Sequence, residues 1–353
     1  MTNPFHSPVL KVENLAIAYK VRGGEIEAVQ NVSFEIARGE SLGIVGESGC
    51  GKSLTAMALL GLLPDTARVR GSIQLDGQEL LNQSDTLLCR VRGKRMAMVF
   101  QEPMTALNPV HTIGRQVAEP LRLHLGLSAR AARTQALTLL DRVGIADAAR
   151  RMDQYPHQFS GGQRQRITIA MALACGPDLL IADEPTTALD VTVQQQILEL
   201  IQSLVRERGM ALVLISHDLG VIAQNVSRML VMYGGSVVES GPTASVFSAM
   251  AHPYTRGLFA ARPRFGVSRP GALRGRLPTI AGTVPELVDL PPGCAFAGRC
   301  AFTAPPCHTI RPPPVPATHS PPTSLIETSS NHLVRCLRLD AIPAFSPSTG
   351  VST

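Results

Sequence analysis

The sequence feature that most restricts the fold of this chain is the octapeptide from Gly46 to Ser53, GESGCGKS. It follows a compact apolar run, Leu42–Val45, and precedes a segment of helical character, Leu54–Leu63. Glycines let the backbone curl so that successive N–H groups point at phosphate oxygens, and the following helix adds its positive N-terminal end. The sequence therefore predicts a strand, a phosphate-binding loop and a helix in succession.

Two side chains of this loop carry specific chemistry. Lys52 is expected to reach the β- and γ-phosphates of a nucleoside triphosphate, and the Ser53 hydroxyl is expected to bind Mg²⁺. The chain contains only four lysines, so Lys52 is not a chance member of a lysine-rich run. The residues expected to contact the nucleotide here are Gly46, Glu47, Ser48, Gly49, Cys50, Gly51, Lys52, Ser53 and Leu54.

A second apolar run, Leu179–Ala182, ends in two acids, Asp183 and Glu184. Asp183 is expected to hold Mg²⁺ through water. Glu184 points to the other side of the strand end, where it can polarise the attacking water as a general base. Two acids after a strand often only cap the next helix, but beside a phosphate-binding loop they indicate a nucleotide hydrolase.

The composition of the chain changes near residue 250. Before it, apolar runs such as Met96–Phe100 and Ala211–Ile215 alternate with helical-length segments, which predicts an α/β domain over residues 1–250. Beyond it prolines are frequent, so residues 251–353 are expected to form a small extension of turns and irregular structure.

The net charge of the chain is +6. Six arginines and no acid lie between Glu239 and Glu286, so this one basic segment equals the whole excess of positive charge. This segment is expected to be a solvated linker, with attraction to anionic lipid or an acidic partner as the alternative. The rest of the chain is balanced in charge and contains no Trp, which disfavours a nucleic-acid binder. No apolar run approaches the roughly 18 residues that span a bilayer, so a cytosolic chain is expected. The arginines of the segment are Arg256, Arg262, Arg264, Arg269, Arg274 and Arg276.

The pentapeptide Phe159-Ser160-Gly161-Gly162-Gln163 resembles the LSGGQ signature of the ATP-binding-cassette (ABC) family. Ser160 can cap a helix over Gly162–Ala174, whose free N–H groups and dipole form a second anion site. The alternative interpretation of these five residues is a capped helix start that binds no nucleotide. The order of the remaining family motifs favours the signature.

Four further positions resemble motifs of this family. Tyr19 resembles the aromatic residue that stacks on adenine, although a strand tyrosine packed on a neighbour is the alternative. The resemblance implies that Gln101 reaches Mg²⁺ and the lytic water and that His217 contacts the γ-phosphate. Asp190 completes the D-loop motif Ala188–Asp190.

Three longer segments, YPHQFSGG from Tyr155, IADEPTTALDVTV from Ile181 and HPYTRGL from His252, are similar to the ATPases of dipeptide and oligopeptide importers. The resemblance implies an α/β cassette with a helical subdomain around Met104–Gln158, and a requirement for ATP and Mg²⁺. It also implies two transmembrane permease subunits, a second ATPase subunit that is commonly a different chain, and indirectly a substrate-binding protein. The expected location is peripheral, at the cytoplasmic face of the membrane.

The identity of the cargo stays open at this level. Nickel chelates, glutathione, opines and antimicrobial peptides are alternatives to dipeptides and oligopeptides. A soluble ABC ATPase that acts on nucleic acid or the ribosome is disfavoured, because the chain has one compact cassette and no basic arm.

Four of the seven cysteines are clustered in the proline-rich extension, at Cys294, Cys300, Cys307 and Cys336. Structural zinc sites usually pair cysteines two to four residues apart, whereas a cubane cluster accepts wider spacing. The spacings also resemble the cysteine motif of the importer subfamily, which is associated with a [4Fe–4S] cluster. The cluster is the expectation, with zinc and reduced structural thiols as alternatives. Cys50, Cys89 and Cys175 are expected to be structural.

Overall fold

The computed structural model describes residues 8–21, 24–187, 189–261, 279–317 and 331–345. Ala188 of the D-loop motif and five arginines of the basic segment, those at 262, 264, 269, 274 and 276, lie outside the described residues.

The strands of the described residues are β1 (Leu10–Val21), β2 (Gly24–Ile36), β3 (Ser41–Val45), β4 (Ala67–Leu75), β5 (Gln78–Glu79), β6 (Met96–Val99), β7 (Leu179–Asp183), β8 (Ala211–Ser216), β9 (Arg228–Tyr233), β10 (Ser236–Pro242), β11 (Val315–Pro316) and β12 (Leu333–Val334). The helices are α1 (Lys52–Leu59), α2 (Asp85–Val91), α3 (Pro103–Ala106), α4 (Ile113–Leu125), α5 (Ala129–Arg142), α6 (Ala148–Arg151), α7 (Gly161–Ala172), α8 (Val191–Arg208), α9 (Leu219–Asn225), α10 (Thr243–Ala249), α11 (Pro253–Ala260) and α12 (Pro305–Thr309). The four apolar runs of the sequence are therefore strands β3, β6, β7 and β8.

These strands form two sheets. The smaller sheet is antiparallel, in the order β2-β1-β4-β5. The larger sheet has the order β11-β12-β10-β9-β3-β8-β7-β6, and its part from β9 to β6 is parallel. The carboxyl ends of β3, β7, β8 and β6 therefore meet at one edge, which is where open α/β sheets bind ligands.

The core has two halves, one on each face of the parallel strands. In β7, Leu179 and Ile181 pack toward the antiparallel sheet, whereas Leu180 and Ala182 pack toward the helices. All four side chains are fully buried. The apolar run is continuous because a parallel strand covered on both faces needs apolar residues at every position.

The helical layer includes the subdomain that the sequence predicts. Helices α4, α5 and α7 pack against one another, and α3 contacts α7. Val117, Leu139 and Ile167 are buried among the residues of this layer. The fold is thus an α/β cassette with a helical subdomain.

The described residues of the C-terminal extension are mostly irregular but are joined to the main sheet. In β12, Val334 pairs with Glu239 and Leu333 pairs with Ser240, so the extension adds strands at the β10 edge. Phe296 is buried in the core formed with the helices.

None of the helices in the described residues combines the length and the apolar character that crossing a bilayer requires.

Candidate functional site

The phosphate-binding loop connects β3 to α1. Helix α1 begins at Lys52 rather than at Leu54, because Gly51 takes a left-handed conformation, φ 99°, and ends the loop. At Gly46 a Cβ atom would lie 2.2 Å from the carbonyl oxygen of Met232. Only glycine fits there, so the loop lies directly against β9.

The loop forms one wall of a cleft of about 490 Å³. Gly46 and Cys50 do not line the cleft, and Cys50 is buried beneath the loop. The cleft therefore collects most of the nucleotide-contacting residues that the sequence predicts, together with Gln101, Glu184 and His217. Its lining residues are Glu47, Ser48, Gly49, Gly51, Lys52, Ser53, Leu54, Gln101, Glu184, His217 and Leu258.

The Glu184 carboxylate lies at the centre of the polar contacts in this cleft. Its Oε2 accepts a hydrogen bond from Gln101 Nε2 at 3.4 Å and lies 3.1 Å from His217 Nδ1. The Lys52 ammonium lies 3.9 Å from Oε1. The backbone of Glu184 has φ 45°, a conformation that non-glycine residues rarely adopt, and its amide donates to the Ile215 carbonyl. A neighbouring strand thus holds this carboxylate in place.

Asp183 is the last residue of β7 and is buried. Burial raises the pKa of its carboxyl group, and a hydrogen bond with the Ser53 side chain opposes this shift. Within the described residues, Asp183 Oδ1 has no hydrogen-bond partner. A buried carboxylate oxygen without a partner, beside a serine hydroxyl, fits the oxygen ligands that Mg²⁺ prefers.

Comparisons with known proteins agree with this geometry. The profile of the family described as ABC transporter matches residues 29–187, and that of the oligopeptide/dipeptide transporter C-terminal region matches residues 238–307. A peptide import ATP-binding protein of Brucella abortus is 48% identical over 345 residues, which are 96% of this chain and 99% of that protein. A second such protein, of Brucella suis, is 51% identical over 310 residues, 88% of this chain and 91% of its own.

This chain belongs to the ATP-binding subunits of the dipeptide and oligopeptide ABC importer family. Solved structures agree with the assignment. The dimeric ATP-binding cassette MJ0796, in a post-hydrolysis state with ADP and phosphate, is 31% identical with a TM-score of 0.60 and covers 66% of this chain and 98% of its own. The protein cbiO1 of Clostridium perfringens, part of the ABC transporter complex cbiONQ, is 28% identical with a TM-score of 0.58 and covers 69% of this chain and 91% of its own.

The signature pentapeptide of this ABC ATPase subunit lies at the start of α7 and does not line the cleft. Ser160 caps the helix by accepting the Gln163 amide at 3.4 Å, and the Gln163 side chain accepts the Ser160 amide at 3.2 Å. Ser160 and Gly161 are exposed. At Gly162 a Cβ atom would lie 2.7 Å from a methyl group of Val193. The helix start is therefore capped, accessible and outside the cleft formed by this chain's own phosphate-binding loop.

Arg151 supports the signature, and sequence reasoning missed it. Its guanidinium carbon lies 4.3 Å from the centroid of the Phe159 ring. Its Nη2 also donates to Gln163 Oε1 at 3.2 Å. Phe159, which departs from the usual leucine of the signature, thus makes a cation–π contact that leucine cannot make.

Two other predicted residues lie elsewhere. Asp190 caps α8 by accepting the Val193 amide at 3.0 Å. Tyr19 lies in β1, opposite Ile26, is half-buried and does not line the cleft. The adenine-stacking role of Tyr19 and the D-loop role of Asp190 therefore stay predictions.

The four cysteines of the extension are unpaired thiols that influence one another. Burial, together with repulsion from the other three thiolates, raises the pKa of Cys294 to about 11. The thiols of Cys300 and Cys336 accept hydrogen bonds from the amides of Phe302 and Arg338, at 3.4 and 3.3 Å. In the part of the chain that the structure describes, no three His, Cys, Asp or Glu side chains lie close enough to hold a single metal ion.

The extension also contributes to the nucleotide cleft, which sequence reasoning missed. Leu258 of α11 lines the cleft, and the hydroxyl of the fully buried Tyr254 accepts the Glu47 amide at 2.8 Å. Both residues fall within the HPYTRGL segment, whose resemblance to the importer ATPases gives no sign of a contact with the loop. The HPYTRGL segment has no periodic pattern that indicates the phosphate-binding loop as its partner. Its contact with Glu47 could therefore not be predicted from the sequence.

Proposed function

We propose that this chain binds and hydrolyses ATP in the cleft between Lys52 and Glu184, and that it thereby drives the import of dipeptides or oligopeptides through separate permease subunits. The observation that carries the proposal is the set of contacts around one carboxylate. Glu184 is within 4 Å of Lys52, Gln101 and His217, at the edge where the parallel strands end. A base, a phosphate-binding cation and two water- or phosphate-contacting groups are what in-line attack on a γ-phosphate needs.

Each side chain has a separate part in this reaction. The Lys52 ammonium donates to the Gly46 and Glu47 carbonyls at 2.8 and 3.1 Å, and exchanges these partners for phosphate oxygens when ATP binds. Glu184 polarises the attacking water, while His217 contacts the γ-phosphate. Asp183 and Ser53 would hold Mg²⁺, which neutralises phosphate charge when bound.

The assembly follows from the exposed signature helix. Because Ser160 to Gln163 lie outside this chain's own cleft, the amide groups of Gly161 and Gly162, in the first turn of α7, are available to a γ-phosphate held by another ATPase subunit. We propose that this second subunit is a different chain and that two permease subunits and, indirectly, a substrate-binding protein complete the importer. The ATPase lies peripherally at the cytoplasmic face of the membrane. Residues 1–250 form the cassette and residues 251–353 the extension.

The test is reconstitution with the permeases that co-purify from membranes. We expect ATP-dependent uptake of a labelled dipeptide or oligopeptide into vesicles. Uptake of a nickel chelate, glutathione, an opine or an antimicrobial peptide instead would retain the ATPase role and change the cargo. Hydrolysis stimulated by RNA or ribosomes, with no permease partner, would contradict the proposal.

We also propose that Cys294, Cys300, Cys307 and Cys336 hold a [4Fe–4S] cluster, with zinc as the alternative. In a cubane held by four cysteines each thiolate would bind a different iron, so the thiols need not converge on one point, as they must around zinc. The support is the donor chemistry: four free thiols in one neighbourhood, three of them with amide donors two residues further along the chain. Such N–H···S bonds stabilise thiolate ligands. The group would cross-link segments of the extension that share little apolar core.

A further inference from the structure

The side chain of Arg299 reaches from the C-terminal extension to the phosphate-binding loop. Its Nη1 and Nη2 donate to the two carboxylate oxygens of Glu47 at 2.7 and 3.2 Å. Its Nε donates to the Ala281 carbonyl at 2.9 Å, and Nη1 also lies 3.4 Å from the Tyr233 hydroxyl. The Arg299 side chain is only 7% exposed. A guanidinium fixed in this way forms a two-bond pair of defined geometry.

The loop that carries Arg299 is itself held against the cassette. Phe296 packs edge-on against Tyr233, with ring centroids 5.1 Å apart, and lies 5.4 Å from the ring of Tyr254. Arg299 lies 5.8 Å from the centroid of the Tyr233 ring. Since Tyr254 also accepts the Glu47 amide, both the backbone and the side chain of Glu47 are bound by residues beyond position 233.

The charge of Glu47 opposes the chemistry of the cleft that it lines. The cleft is built to receive a polyphosphate, and a free carboxylate at its wall would repel that ligand. Arg299 removes this repulsion in two ways, because it neutralises the carboxylate and fixes it against the extension. Among the described residues the cleft wall carries one Lys or Arg side chain, Lys52, and the Glu184 carboxylate lies 3.9 Å from it. An unpaired Glu47 would therefore give the wall an excess of negative charge.

We propose that Arg299 is a positioning residue for nucleotide binding, which acts through Glu47 and makes the C-terminal extension part of the ATP site. The inference rests on the proposed function of the cleft. It assigns to the extension a role in nucleotide affinity, and it places that role on one residue of the loop between Cys294 and Cys300.

The test measures the affinity of the purified full-length chain for a fluorescent ATP analogue, MANT-ATP. We expect R299Q to weaken binding about tenfold, equivalent to about 1.4 kcal/mol, and the loss to shrink at high salt because it is electrostatic. R299K, which keeps the charge, should bind within about threefold of the parent. The double variant E47Q/R299Q should recover most of the lost affinity, since the repelling carboxylate is gone. In the assembled importer, R299Q should raise KM for ATP more than it lowers kcat.

The matched control is R311Q, which alters another arginine of the extension that is exposed and bonds to the Pro292 carbonyl. R311Q should bind like the parent. Parental affinity in R299Q would overturn the inference, as would a double variant or an R299K variant as weak as R299Q, because each result would leave the charge of Glu47 without effect. A failure of the proposed function would give a different result. If the parent and K52A bound MANT-ATP equally, the cleft would not be the nucleotide site.

Discussion

The carboxylate of Glu184 lies 3.1 Å from Nδ1 of His217, although 33 residues separate them in the chain. The contact exists because β7 and β8 are adjacent parallel strands, so the residues that follow them meet at one edge of the sheet. Glu184 takes φ 45° at this point, a conformation that costs about 1–3 kcal/mol. The fold accepts this strain where it brings a carboxylate, a histidine and Lys52 to one cleft.

The first prediction follows from that placement. Glu184→Gln should keep ATP binding, because the amide retains the shape and hydrogen bonding of the side chain, but it should lose turnover because it cannot act as a base. We expect kcat to fall roughly 10³-fold, equivalent to about 4 kcal/mol of transition-state stabilisation. The measurement is ATP hydrolysis by the assembled importer.

The control for this variant is Glu199→Gln. Glu199 is exposed on α8 and accepts a hydrogen bond from Gln195, so the same chemical change is made away from the cleft. This variant should hydrolyse ATP at the parental rate. A Glu184→Gln importer that also did so would show that the base is another group.

Much of this site could be predicted from the sequence, since its signals are local. The glycine pattern of the loop and the acids after a buried strand depend on backbone geometry and strand ends, which neighbouring residues determine. The predicted start of α1 is wrong by two residues, because the apolar pattern begins at Leu54 whereas the helical conformation begins directly after Gly51. The start of α7 was wrong by one residue for a similar reason, since Gly161 already belongs to the helix.

The contacts between the extension and the loop could not be predicted in this way. Glu47 and Arg299 are 252 residues apart, and neither lies in a periodic pattern that indicates its partner. Their contact depends on how Phe296 packs against Tyr233, which is a property of the assembled core. The pairing of β12 with β10 has the same origin, since a two-residue strand carries no pattern of its own.

The second prediction concerns the association of two ATPase subunits. Ser160→Arg should leave ATP binding to this chain intact, but it places bulk and positive charge where a second subunit's γ-phosphate must meet the amide groups of α7. ATP-dependent association of the two subunits, measured by light scattering, should be lost. Ser128→Arg is the matched control, because Ser128 is also an exposed helix cap and accepts the Ala131 amide at 3.3 Å. Each substitution removes a helix cap worth about 1 kcal/mol, so only the difference in ATP-dependent association between the two variants reports on the nucleotide site. Equal association of the Ser160→Arg and Ser128→Arg variants would contradict a site shared by two subunits.

The third prediction concerns the cysteines of the extension. Protein purified without oxygen should contain about four irons per chain if a [4Fe–4S] cluster is bound. Cys336→Ser should lose that iron, whereas Cys89→Ser, at an exposed thiol on α2, should retain it. Finding one zinc and no iron per chain would show that the four cysteines form a zinc site rather than a cluster. Finding neither metal would contradict both proposals and leave reduced thiols.

The last prediction arises from the buried histidine His252. Burial lowers the pKa of its imidazole to about 4, although the Glu239 carboxylate opposes this shift. Its Nδ1 accepts the Tyr254 amide at 3.1 Å and caps α11, which requires the neutral ring. The charged groups nearby are Glu239, which also contacts His332 at 2.8 Å, and Arg256. Burial alone would raise the pKa of Glu239, but hydrogen bonds from His332 and the His252 amide hold it below its usual value.

The sign of the pH dependence follows from these two directions. The unfolded chain binds a proton at His252 near pH 6.5, whereas the folded chain does so only near pH 4, so the free energy of unfolding falls as the pH drops through this window. The lowered pKa of Glu239 removes further stability only below about pH 4.5, where its carboxylate becomes protonated in the unfolded chain. Between pH 7 and pH 5 His252 should therefore cost about 2 kcal/mol. His252→Asn keeps a capping acceptor without a titrating ring, so its urea midpoint should change less than that of the parent over this interval. Equal changes in the two proteins would show that His252 does not determine the acid sensitivity of the extension.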